Sequence, residues 1–109
     1  MFPLQITRRD SATGPVLYVT GDLDHHYAPV LRDQVERLDV KAGQCLVIDL
    51  AGLEFCDSSG ITALLAARQF AQAAGADFAL AAVPDNTLRI LTIVGLHRIF
   101  TIHPGSNAV

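Results

Sequence analysis

Apolar residues along the chain change their spacing several times, and each change marks an element. Phe2, Leu4 and Ile6 alternate with Pro3, Gln5 and Thr7, which is the two-residue period of a half-exposed strand. Pro3 has no N–H to donate, so it places that strand at a sheet edge. Residues 11–15 have the composition of a turn, and residues 16–20 read as a second strand ending at Gly21; the two strands are expected to form a hairpin. From Tyr27 the period lengthens. Ala28, Leu31, Val35 and Leu38 fall at helical spacing, with Arg32, Asp33, Glu36 and Arg37 on the other side. Pro29 is tolerated only in the first turn of that helix, which puts its cap within residues 24–26.

Leu46, Val47, Ile48 and Leu50 form a nearly continuous apolar run, as expected of a central strand covered on both faces. A helix is predicted over residues 58–74, closed by Gly75, and a strand over residues 78–83. Pro84 and Asp85 then stop the strand and cap a helix running to Val94. Gly95 supplies the left-handed residue past that helix, with Leu96 placed for the accompanying apolar contact, and residues 99–102 make a last short strand. The order is β β α β α β α β. Strands separated by helices favour a parallel core, and the opening hairpin adds an antiparallel strand. The predicted class is α/β: a mixed, mostly parallel sheet of about four to five strands with helices packed against it.

The helix over residues 58–74 carries one irregularity. Ala63, Ala67, Phe70 and Ala74 cluster on one side with Ala66 and Ala71 flanking, and Thr62, Arg68, Gln69 and Gln72 mark the opposite side. Ile61 and Leu65 fall in the polar arc, in line with Ser58. Spacing leaves two readings open: an apolar patch for another protein, or core positions in a misjudged arc.

Composition narrows the classes. The chain has 109 residues, 50% of them hydrophobic, enough for the core of one domain spanning residues 1–109. Eight Lys and Arg are scattered through a chain of formal charge −3, which offers no basic stripe for nucleic acid. No apolar run approaches the roughly 20 residues of a membrane span, and no secretory leader is visible; a soluble, cytoplasmic protein is expected. Cys45 and Cys56 bracket an extended segment that holds them too far apart for a disulfide, and both are expected as buried thiols.

The chemistry concentrates in "FCDSSGIT", residues 55–62. Asp57 and Ser58 stand where a buried strand meets a helix, and either can cap the unpaired N–H groups of the first turn, contributing about 1 kcal/mol. A phosphorylated hydroxyl there gains roughly 1.5 to 2 negative charges at a helix end that favours anions. The fold would tolerate it, while a partner docking beside Ile61 and Leu65 would meet a doubly charged, hydrated group.

"LVIDLAGLEFCDSSGITALL" resembles the central motif of the STAS domain, found in bacterial anti-sigma factor antagonists and in the cytoplasmic part of sulfate transporters. "TGDLDHHYAPVLRDQV" resembles the segment leading into the first helix of the antagonists, particularly those of the SpoIIAA type, and "LRILTIVGLHRIF" is similar to the family's third helix and following strand. The resemblance covers residues 4–102. It implies that Ser58 is phosphorylated by a partner that is both anti-sigma factor and serine kinase, that the unphosphorylated form binds this partner and releases the sigma factor, and that a PP2C-type phosphatase restores the serine. It also implies that Asp57, Ser59 and Gly60 shape the acceptor loop, and that Gly21, Asp22, Leu23, Asp24 and His25 form a neighbouring loop of the partner face beside Ile61 and Leu65. Gly60 suits close approach of another backbone. Family members usually add a helix after the last strand; "HPGSNAV" is too short and too rich in Pro and Gly to form one, so that helix is expected to be absent or trimmed, uncovering sheet surface.

Three other roles compete. "DLDHH", residues 22–26, offers carboxylates and imidazoles of the kind that hold a divalent metal in phosphoesterases, but His97 and His103 come late in the chain, far in sequence from acidic residues. A serine hydrolase would need a base and a G-x-S-x-G turn, and Cys56 stands in place of the first glycine. A constitutive docking module would use the same surface without phosphorylation. No Walker-type loop is present, so no cofactor is expected and the nucleotide belongs to the partner.

Overall fold

The computed structural model describes residues 1–105. Five strands form one sheet in sequential order, β1 (Gln5–Ser11), β2 (Gly14–Leu23), β3 (Cys45–Cys56), β4 (Asp77–Ala81) and β5 (Thr101–His103). β1 pairs antiparallel with β2, and every later pair is parallel. Three helices make the crossovers: α1 (Ala28–Glu36), α2 (Ser58–Ala73) and α3 (Asp85–Ile93), the last followed by a 3-10 turn over Leu96–Arg98. The element order and mixed sheet agree with the sequence pattern.

Strand boundaries shifted for identifiable reasons. Phe2 and Pro3 precede β1. The Phe2 carbonyl accepts the Asp22 N–H at 2.9 Å and the Phe2 N–H donates to Asp22 Oδ2 at 3.1 Å, so the pairing resumes past the proline, which cannot donate. β2 runs past Gly21 to Leu23 because its pairing with β3 continues to Cys56; Gly21 itself adopts φ +88°, and a Cβ there would strike the Pro3 carbonyl. β3 extends six residues past Leu50, to Cys56.

Alternation splits the core in two. Leu17 and Val19 of β2, Leu46, Ile48 and Leu50 of β3, and Phe78 and Leu80 of β4 meet Leu31 and Val35 of α1, Ala63, Leu64, Ala67 and Ala71 of α2, and Leu91 of α3. The opposite face holds a small cluster drawn from strands alone: Val16, Val47, Ala79 and Ala81, with Tyr18 and Cys45 against it. The central run of β3 is buried throughout, but helices cover it on one face, not on both as expected. Sequential strand order with right-handed crossovers puts every connection on the same side. Cys45, on the helix-free face, is accordingly half-buried, while Cys56 is buried; both are free thiols. Leu38 is buried just beyond the end of α1.

Gly95 takes φ +80° after α3, and Leu96 packs against the main core, the predicted helix stop. The N-cap of α3 is Pro84, without a side-chain cap bond, and Asp85 lies in the first turn instead. The expectation of a missing final helix concerns the tail, whose residues 106–109 lie outside the described part. Among the described residues no helix is long and apolar enough to cross a membrane.

Candidate functional site

The site is built by irregularities in β3. Tyr18 pairs with Asp49 and Thr20 with Gly52; Gly21 pairs with Leu53 and Asp22 with Phe55. β3 therefore carries one extra residue at each of two steps, and such bulges bend a strand and re-aim its end. At the first, Asp49 Oδ1 accepts the Ala51 N–H at 2.9 Å, supplying the acceptor that the interrupted ladder withholds.

Beyond the second bulge the chain turns into α2 at Asp57. Its backbone is extended, φ −102° and ψ −171°, as an N-cap requires. Oδ1 accepts the Gly60 N–H at 3.0 Å and Oδ2 accepts the His25 N–H at 3.2 Å. One carboxylate thus caps α2 and ties it to the loop between β2 and α1. Capping falls to Asp57 alone. Ser58, the first helical residue, is exposed, and its hydroxyl has no hydrogen-bond partner among the described residues; only its carbonyl is used, by Thr62 Oγ1 at 2.9 Å. Ser59 Oγ lies 3.4 Å from His25 Nδ1, a second link between the same loop and α2.

The remaining residues of the predicted partner face divide into surface and support. His25 is exposed and Asp24 half-buried, the Asp24 carboxylate accepting the Tyr27 N–H at 3.0 Å ahead of α1. Gly21, Asp22, Leu23 and Gly60 are buried, so they lie beneath this surface and do not line it. Asp22 is turned onto the Phe2 amide. A Cβ on Gly60 would run into the Leu23 carbonyl and come within 2.7 Å of Cys56 Sγ; the close approach it permits is to the chain's own β2. Ile61 and Leu65 are half-buried and packed against the main core, so neither of the two open readings holds whole: each contributes an edge to the surface.

Burial and the adjacent Asp57 charge push the Cys56 thiol up to about 12, so it stays protonated and unreactive beneath the loop. Cys45 is also raised, by burial first and then by Asp77. The "DLDHH" side chains diverge onto Phe2, Tyr27 and Ser59, and among the described residues no three His, Cys, Asp or Glu converge as metal ligands.

Sequence reasoning missed the exposed apolar side chains at this end of the sheet, Phe55 and Ile90. Phe55 was masked by the bulge, which breaks alternation. The signal for Ile90 was present: "LRILTIV" has more apolar positions than one helix face can bury.

A family model described as STAS domain matches residues 4–108. The anti-sigma F factor antagonist of Paenibacillus polymyxa is 30% identical over 90 residues, 81% of this chain and 76% of that protein. The crystal structure of an anti-sigma factor antagonist from Mycobacterium paratuberculosis superposes with a TM-score of 0.85 at 25% identity, covering 97% of this chain and 90% of the other. The Bacillus cell fate determinant SpoIIAA in its phosphorylated form shares the fold at a TM-score of 0.72 and 18% identity, covering 97% and 95%.

Proposed function

The chain belongs to the STAS domain family, and from that premise we propose that it is an anti-sigma factor antagonist switched by phosphorylation of Ser58. Unphosphorylated, it binds a partner that is both anti-sigma factor and serine kinase, and so frees the sigma factor. In the transfer step Ser58 Oγ attacks the γ-phosphorus of the partner's ATP, the bond to the ADP oxygen breaks, and the hydroxyl proton passes to a base on the kinase. A PP2C-type phosphatase returns the serine by hydrolysis. Ser58 is a substrate in this scheme and not a catalyst, and the scheme, which draws on ATP, is a cytoplasmic one.

The observation that carries this reading is the division of labour between neighbours. Asp57 performs the cap, which leaves the Ser58 hydroxyl exposed and unbonded at the first position of α2. A phosphoryl group there adds roughly 1.5 to 2 negative charges beside backbone N–H groups that lack intrahelical acceptors, so the helix accommodates it. Both Asp57 oxygens already accept N–H bonds, which moderates repulsion from that carboxylate. The cost falls on the partner, which would have to strip water from a dianion next to Ile61, Leu65 and His25.

Incubation with ATP and anti-sigma serine kinases, followed by mass spectrometry of peptides, tests the assignment. One phosphate on Ser58, absent from Ser58→Ala, is expected; phosphate on Ser59 instead, or none with any such kinase, contradicts it.

A further inference from the structure

Next to the proposed acceptor lies a groove with no part in the phosphorylation switch. It runs between the bulged end of β3 and the start of α3, is lined chiefly by Leu53, Glu54, Phe55, Pro84, Thr87 and Ile90, and has a volume of about 270 Å³. Its apolar walls are open to solvent, Phe55 at 53% and Ile90 at 38% exposure. The second bulge explains Phe55: Cys56 pairs with Leu23 and keeps the inner face, while Phe55 pairs with Asp22 and is turned out. α3 buries only Thr87 and Leu91, so Ile90, Ile93 and Val94, spaced i, i+3 and i+4, make a second apolar stripe on its outer side.

Charge and size indicate the occupant. Glu54 lines the groove and Asp85 lies in the chain between the lining residues Pro84 and Asn86; both are exposed, and neither carboxylate has an ion pair or hydrogen bond among the described residues; Arg89 is the one basic residue of α3. Roughly 300–1,000 Å³ is usual for small-molecule sites, so the groove suits a single inserted side chain better than a free ligand. Its floor residue Cys56 is followed directly by Asp57 and Ser58, which puts groove and acceptor at one end of the sheet.

We propose that this groove is a second docking point for the kinase partner, taking one large aliphatic or aromatic side chain flanked by Lys or Arg. It rests on the antagonist role proposed above, because proximity to Ser58 selects that partner. The groove supplies affinity independent of phosphorylation, and the Ser58 contact adds to it only in the unphosphorylated chain.

The test measures Kd by calorimetry between the chain and the kinase that phosphorylates it. Phe55→Ala and Ile90→Glu each weaken binding by about 30-fold, as expected on loss of an interface anchor, and Glu54→Lys with Asp85→Lys weakens it about tenfold and flattens its salt dependence. The ratio of affinities between unphosphorylated and phosphorylated chain stays unchanged in Phe55→Ala. All four residues are exposed, so thermal melts within a few degrees of wild type confirm that each variant is folded. Wild type binding while all the variants bind within twofold of it overturns the groove alone; wild type failing to bind any such kinase overturns the antagonist role and the groove together.

Discussion

Replacing Gly60 by alanine puts a methyl group where the structure has no room. Gly60 is the third residue of α2, and its added Cβ would collide with the Leu23 carbonyl oxygen, lie 2.7 Å from Cys56 Sγ and 3.0 Å from Leu23 Cγ. The first two obstacles are hard to move. The carbonyl ends β2, where Leu23 pairs with Cys56, and it accepts the Asp57 N–H at 3.4 Å; the sulfur ends β3 and is buried. The first turn of α2 must therefore shift outward. Overpacking of this kind costs roughly 1–3 kcal/mol, and the better helix propensity of alanine offsets at most about 1 kcal/mol. A net loss of about 1–2 kcal/mol lowers Tm by roughly 4–9 °C in a chain of this size. The shift also pulls on the Asp57 bridge to His25, so exchange of the His25 amide should quicken. Circular-dichroism melts and hydrogen exchange measure both effects. A Gly60→Ala protein as stable as wild type, with an unchanged His25 amide, would refute the packing assigned to this glycine.

Asp57→Ala removes the cap of α2 and the acceptor for His25 together, and should cost about 1–2 kcal/mol in urea unfolding; Asp57→Asn, which keeps an acceptor, should recover most of it. In native protein at pH 8, Cys45 should react with Ellman's reagent well before Cys56, and Cys56 only on unfolding. The Cys56 thiol is raised in the fold from its ordinary value of 9.0 to about 12. Its contribution to stability is therefore complete below pH 9 and lost as pH climbs through that window, because the unfolded chain ionises first; unfolding followed from pH 8 to 11 should show the decline, which Cys56→Ser abolishes. Asp49→Ala removes the acceptor of the exposed Ala51 N–H and should cost about 0.5–1.5 kcal/mol; a loss under 0.3 kcal/mol, roughly the scatter of such measurements, would mean that water serves the bulge equally well.

Periodicity made most of the fold legible, because local spacing reports burial wherever an element is regular. Ala28, Leu31 and Val35 face inward along α1 as their spacing requires, and Gly95 ends α3 as its conformational freedom allows. The failures coincide with interruptions of the period. Two inserted residues in β3 hide the outward turn of Phe55, and the inner face of α2 is centred on Ala63, Leu64, Ala67 and Ala71, a rotation that draws Ile61 and Leu65 toward the core. That helices cover one face of the sheet follows from strand order, which no local pattern encodes. At the site, residue types pointed to a cap and an acceptor, but only geometry assigned the cap to Asp57 and left Ser58 unengaged. The same geometry showed that Gly60, Asp22 and Leu23 are buried beneath that surface.

The affinity of the anti-sigma kinase for Ser58→Ala, Ser58→Asp and the chain phosphorylated on Ser58, set beside wild type in one titration series, bears on the switch most directly. Retained binding by Ser58→Ala, with at least tenfold weakening by Ser58→Asp and by the phosphorylated chain, is the predicted result. Equal affinity across all four would contradict it and leave a docking module with no switch at this serine.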